Sequence, residues 1–393
     1  MFRTILIGLV LVVAAFWAGA TFNVGGSPVL LRLVNDDDSG TSFRNRNLGL
    51  TGYKLLDLFE KQVLTSESAE KNENVRVSKY YDEFVKFVTK GSAEQHDTIC
   101  FPESSVISKL NRDVNPVFNV HSHNDYWRNL PMYEALCHGI TSIEADVWLV
   151  NNSTELAVGH NKGFLDPIHR NLESLYTGPL LTMLNEVNCH QSEHNDQKYG
   201  LFYNSPETTV YLYIDFKSED SAKTYDLLIN RYLAPLIDMG YVTYLDIENQ
   251  GVVWNPLTII LTGDYPTDLG VLDGEQNDGI LHTNQRFVFI DAPLHRLEER
   301  HSTLSLVASA SLSQLLRGCK DSEISMGLGL SSDQLQCIVP YIERAHSMSL
   351  KTRIWGVPSW PKQLNTRLLG QQAFDLHVDF LNVDDLYATA HLF

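Results

Sequence analysis

From residue 113 to the C-terminus, short apolar runs alternate with longer segments whose apolar positions recur at helical spacing. The short runs are rich in β-branched and aromatic residues and predict strands at 116–120, 141–149, 210–216, 258–261, 287–290, 352–357 and 380–383. A glycine-weakened run at 324–328 is the eighth candidate. The longer segments predict helices over 171–186, 222–239, 304–317, 333–347 and 360–375. Strand followed by helix, repeated, predicts an α/β fold with a parallel sheet, and eight such strands predict a (β/α)8 TIM barrel over residues 113–393. The polar stretch 189–209 reads as an insertion. Upstream, residues 21–112 predict a Gly-, Asn- and Asp-rich linker and then a helical appendage. In the appendage Leu55, Leu56, Leu58, Phe59 and Val63, then Tyr81, Phe84, Val85 and Val88, keep helical spacing.

The first twenty residues have a different pattern. Arg3 precedes an unbroken apolar run from Ile5 that ends Ala18-Gly19-Ala20. This predicts a signal peptide, or an uncleaved signal anchor, at residues 1–20 that delivers the rest to the secretory pathway, lumenal, secreted or membrane-anchored. A mitochondrial presequence fits less well, because the run has one arginine and no amphipathic spacing.

The candidate chemistry lies between His121 and Lys217. The segment His-Ser-His-Asn-Asp-Tyr at 121–126 ends the first predicted strand. Glu144 and Asp146 sit two apart on the second, so at strand period both leave one face. Two carboxylates side by side repel unless a cation lies between them, and oxygen ligands suit Mg²⁺ or Ca²⁺. His160 ends a short return strand, and Asp215 and Lys217 end the third strand of the series. In a barrel these strand ends share one rim. A divalent ion with a histidine on either side can cleave a phosphodiester, one histidine taking a proton and the other giving one.

These residues carry a resemblance. Ser122-His123-Asn124 is similar to the start of the catalytic segment in phospholipase C-type enzymes. Ser142-Ile143-Glu144-Ala145-Asp146-Val147 resembles the metal-binding strand of glycerophosphodiester phosphodiesterases, and Tyr213-Ile214-Asp215-Phe216-Lys217 resembles the strand after it. The chain thus resembles the phospholipase C-like phosphodiesterase superfamily of TIM barrels, and within it the fungal altered inheritance of mitochondria protein six family. The resemblance implies His123 as general base or nucleophile, with His121 as the competing choice two residues away. It implies His160 as general acid, although Asn161 follows where many relatives have aspartate. Glu144, Asp146 and Asp215 become metal ligands. Asn124 either joins them or makes a plain turn with Asp125. Lys217 is implied as a phosphate contact, and Trp355 as a groove wall or a core aromatic. Asp264 and Asp291 also end strand candidates.

Composition narrows the partners. A formal net charge of −18 argues against nucleic acid, which needs basic surface to release counterions. Five cysteines, with Cys319 and Cys337 close enough in sequence to pair, are compatible with an oxidising lumen. Asn151-Asn152-Ser153-Thr154 holds two overlapping glycosylation sequons in a turn between strands. The expectation is a metal-dependent phosphoric diester hydrolase acting on a phospholipid head group or a glycerophosphodiester. The alternatives are an inactive barrel that binds a phosphorylated ligand or protein, and an enzyme that releases a cyclic phosphate.

Overall fold

A computed structural model describes residues 51–67, 81–85, 110–150, 152, 154–189, 197–272, 284–324 and 329–390. Its centre is a closed barrel of eight parallel strands. These are β1 Val117–Ser122, β2 Ile140–Val150, β3 Val210–Phe216, β4 Leu257–Gly263, β5 Val288–Pro293, β6 Val307–Ser311, β7 Lys351–Trp355 and β8 Phe380–Val383. Each pairs with the next, and β8 pairs with β1 to close the ring. Buried on both faces, such strands read as continuous apolar runs, which is why β3 and β4 were legible. The return strand Glu155–Val158 runs antiparallel on the outer edge of β2.

β6 differs most from expectation. β6 lies inside the segment expected to be helical over 304–317, and its residues Val-Ala-Ser-Ala-Ser are all buried. Small residues without alternation carry neither the helical nor the strand period, so the run merged with the helix behind it. That helix, Leu312–Leu316, starts only after Ser311, which caps it through a reciprocal Ser311–Gln314 box. The glycine-weakened candidate at 324–328 is not the eighth strand: Ile324 is irregular, and 325–328 lie outside the described residues. β1 also extends further than expected, to Ser122, which places His121 within the strand and His123 beyond it.

The barrel interior is layered. Near the N-terminal strand ends Tyr211, Tyr213, Ile260, Phe289, Val307 and Phe380 form an apolar plug. A small antiparallel sheet of Tyr244–Asp246, Gly251–Val253 and Gln285–Arg286 supports it, contributing Leu245 and Val252. Polar residues occupy the layer above, toward the C-terminal ends. The appendage contributes the helix Tyr53–Glu67 and a helical stretch at 81–85. Leu55, Leu56, Phe59, Tyr81 and Phe84 join the main core, with Phe84 against Phe59 and Tyr133 at 5.2 Å each. Cys319 and Cys337 form a disulfide, Cys189 is also disulfide-bonded, and Cys137 is free and buried. No helix among the described residues is long and apolar enough to cross a membrane, and residues 1–50, with the apolar run, lie outside the described residues.

Candidate active site

Strand register brings the carboxylates together. Asp146 on β2 faces Asp215 on β3, and Glu144 is one inward position below Asp146. One carboxylate oxygen from each of Glu144, Asp146 and Asp215 falls within 4.8 Å of the others. Gly263, at the end of β4, makes the space for Asp215. Its φ is +73°, and a Cβ there would collide with Asp215 Oδ1 and the Phe216 backbone. Asp215 Oδ1 is buried without a hydrogen-bond partner among the described residues.

Three observations show that this donor set fits a hard divalent cation. The orphaned Asp215 oxygen is the first, since buried acceptors are seldom left unpaired. The second is charge. Among the described residues, Lys217 and Arg353 are the lysine and arginine paired with Glu144, Asp146, Asp215 and Asp291, so with the nearby His121 and His160 counted as neutral, full ionisation leaves an excess of two negative charges. The third is Tyr126, whose Oη lies 2.6 Å from Asn124 Oδ1, 2.8 Å from Asp146 Oδ2 and 3.2 Å from His160 Nδ1. A hydroxyl has one proton to donate, so it serves only one of the Asn124 and Asp146 oxygens at a time, and His160 Nδ1 is donor or acceptor according to its tautomer. Burial, then the charges of Glu144 and Asp215, raise the Asp146 pKa to about 7. Burial likewise raises that of Asp215. A bound cation would relieve both.

The histidines have separate environments. His121 is fully buried, with Nδ1 2.8 Å from Ser142 Oγ and Nε2 3.0 Å from Arg353 Nη1. Burial and the Arg353 charge hold its pKa well below the usual histidine value. His123 stands just past β1 at the mouth, its Nδ1 2.9 Å from Asp384 Oδ1. Burial works against its charge, but the Asp384 hydrogen bond and the Glu144 carboxylate prevail and raise its pKa. With Nδ1–H given to Asp384, Nε2 keeps the lone pair that a base needs. His160 is half exposed, its Nδ1 3.3 Å from Asp146 Oδ2 and its ring 5.1 Å from that of Trp127.

Asn124 has φ +48°, a turn conformation that still turns it toward the site. Its N–H donates to Glu144 Oε2 at 2.9 Å, and its amide NH₂ lies 3.3 Å from His123 Nδ1. Lys217 Nζ reaches Asp215 Oδ2 at 2.7 Å and Asp146 Oδ2 at 3.3 Å. Burial opposes its charge, but these two carboxylates outweigh it and raise its pKa. Trp355 is an exposed ring at the C-terminal end of β7. Asp264 follows β4, and Asp291 is bound to Arg353.

Four supporting residues escaped the sequence reading. Asp125, buried, holds the loop after β1 by accepting from Ser122 Oγ, the Met132 N–H and Tyr176 Oη. Tyr126 links Asn124, Asp146 and His160. Asp384 supports His123 from beyond β8, far away in sequence. Arg353 occupies the barrel interior. Asp125 and Tyr126 adjoin the histidine motif and could have been included by proximity. Arg353 and Asp384 gave no local signal.

The family model described as an AIM6-like phosphodiesterase domain matches residues 108–282, the part of the chain that carries β1 to β4 and every carboxylate of the cluster. A Lachancea thermotolerans protein named altered inheritance of mitochondria protein 6 is 54% identical over 100% of this chain and 94% of its own length. A Saccharomyces cerevisiae protein of the same name is 44% identical over 99% of this chain and 98% of its own. A Candida glabrata relative is 41% identical over 88% and 87%. On this identity and coverage, the chain belongs to the altered inheritance of mitochondria protein 6 family, whose barrel carries a phosphodiesterase-like domain.

Proposed function

We propose that this barrel is a metal-dependent phosphoric diester hydrolase whose substrate is a phospholipid head group or a glycerophosphodiester. The observation that carries the reading is a three-carboxylate cluster flanked by two histidines, His123 held by Asp384 and His160 beside Asp146 of the cluster itself. Glu144, Asp146 and Asp215 would hold Mg²⁺ or Ca²⁺, with the Asn124 amide at the edge of the set. When bound, that cation polarises a phosphoryl oxygen and offsets developing charge. His123 Nε2 takes the proton from water or a substrate hydroxyl, and Asp384 stabilises the imidazolium that forms. His160 gives a proton to the departing alkoxide from its place beside Asp146, 3.3 Å away. Lys217 contacts the phosphate once a cation takes over its carboxylates. Trp355 lines the groove.

The test is turnover of a panel of glycerophosphodiesters and phospholipids by the purified chain, with and without chelator. Activity that chelator removes and Mg²⁺ or Ca²⁺ restores supports the reading, and phosphorus NMR of the product separates hydrolysis from cyclic phosphate formation. A barrel that binds a phosphorylated ligand without turnover is the second reading. Lys217 favours it, because its ammonium already neutralises part of the cluster. Phosphate binding that survives chelator, with no turnover of any panel member, would select it.

The compartment proposed is the lumen of the secretory pathway or the exterior. Besides the apolar N-terminus, support comes from the Cys319–Cys337 disulfide and from Asn152, exposed in its turn with φ +55°. Asn151, the other sequon asparagine, lies outside the described residues.

A further inference from the structure

Below the carboxylates, seven of the eight barrel strands meet in one buried polar assembly with Arg353 at its centre. A guanidinium held away from water is costly unless its N–H groups are met. Here Nε donates to Ser309 Oγ at 3.0 Å and Nη2 to Asp291 Oδ2 at 3.1 Å. Nη1 donates to Asn382 Oδ1 at 3.1 Å and to His121 Nε2 at 3.0 Å. The group also lies over the Tyr213 ring, 4.7 Å from its centre. Arginine has no acceptor, so His121 Nε2 must offer its lone pair and carry the ring proton on Nδ1. That proton goes to Ser142 Oγ at 2.8 Å, on the same strand as Glu144 and one inward position below it. Arg353 therefore bears on Glu144 twice. Its charge faces Glu144 Oε1 across 3.8 Å, and the His121–Ser142 chain ties it to the strand that carries Glu144.

We propose that Arg353 is a positioning residue for the acidic site: it sets the Glu144 carboxylate in the orientation that a divalent cation would require. The inference rests on the metal-dependent reading given above. Lysine could not replace it, because one ammonium cannot span Ser309, Asn382, His121 and Asp291 at once, whereas the planar fork does. Groups that orient metal ligands typically cost about 10- to 100-fold in affinity when altered.

The experiment compares the full chain with Arg353→Lys by thermal melting, by calorimetric titration of Mg²⁺ and Ca²⁺, and by turnover against cation concentration. The expected result is a folded variant whose cation affinity falls about 10- to 100-fold and whose turnover recovers toward the parent's at saturating cation. General loosening of the fold would not give that recovery. A folded variant with parental affinity overturns the proposal. If Arg353→Lys does not fold, Ser309→Ala and Asn382→Ala each remove one anchor of the guanidinium. Weaker cation binding in either supports the role, and parental binding in both overturns it. If the unaltered chain binds neither cation, the metal-dependent reading fails separately. Crystal structures of parent and Arg353→Lys then decide the positioning role: a rotated Glu144 carboxylate supports it, and one in the same place in both refutes it.

Discussion

His121 and His123 are two residues apart, yet the barrel gives them opposite chemistry. His121 accepts a hydrogen bond from a permanent cation and has no route to a substrate proton. His123 faces the mouth with a carboxylate behind it. We expect His123→Asn to lose about 10²- to 10⁴-fold in turnover, the usual contribution of a general base. His121→Asn should act through the fold instead, costing about 1–3 kcal/mol for the buried N–H it leaves unmet, as denaturant unfolding would record. Comparable turnover losses at similar stability would contradict the assignment. Asp146 supplies a pH prediction. Its folded pKa of about 7 lies above its ordinary value of 3.8, so across that interval the folded chain binds more protons than the unfolded one. The stability this group contributes is therefore lost as pH rises through the interval. In chelator, the melting temperature of the parent should fall relative to Asp146→Asn as pH goes from the lower value to the higher, and Mg²⁺ or Ca²⁺ should reverse the trend. A difference that stays flat with pH would show that no such shift exists.

At the scale of elements, the site depends on where strands stop. β1 ends at Ser122, which keeps His121 inside and releases His123, and Asp125 then pins the loop that returns Asn124 and Tyr126 over the cluster. β4 ends at Gly263 in a left-handed conformation beside the Asp215 carboxylate. Gly263→Ala should therefore displace Asp215 and strain the backbone, costing more than about 1 kcal/mol and weakening cation binding; calorimetry and melting together would check both. Parental cation affinity in that variant would mean that Asp215 is not a ligand. Much at this scale was legible. β2 announces itself by an apolar run holding the Glu144–Asp146 pair, β3 by an apolar run ending in Asp215, and the helix Ser332–Ser347 by its period. β6 was not, because a strand of alanines and serines gains its preference from burial between two neighbours, which no local pattern records.

For the whole molecule, closure of the barrel makes residues distant in sequence adjacent. Pairing of β8 with β1 brings Asp384 to His123, and Arg353 on β7 reaches His121 on β1 across the interior. The net charge of −18 is a property of the whole chain, so it excludes neither a single phosphodiester nor a local cation at the mouth. Placement in the cell is the remaining question at this scale. Lumenal or exterior placement predicts that Asn151 or Asn152 carries a glycan. A glycosidase-sensitive mobility shift, lost in the double Asn→Gln variant, is the expected result. An unmodified chain open to cytosolic protease would overturn the placement.

The sequence by itself determined the fold class, the two histidine-bearing segments, the three carboxylates and the lysine. Each is written in local terms: a strand period, a spacing of two, an apolar run bounded by turns. Tertiary structure alone decided which histidine meets solvent, because one residue of strand extension moves a side chain from the rim to the interior. It alone assigned Arg353, Tyr126 and Asp384 to the site, since each acts across strands that only barrel closure joins. It also decided the acidity of Asp146, because that depends on burial and on charges from two strands, and neither quantity exists in an unfolded chain.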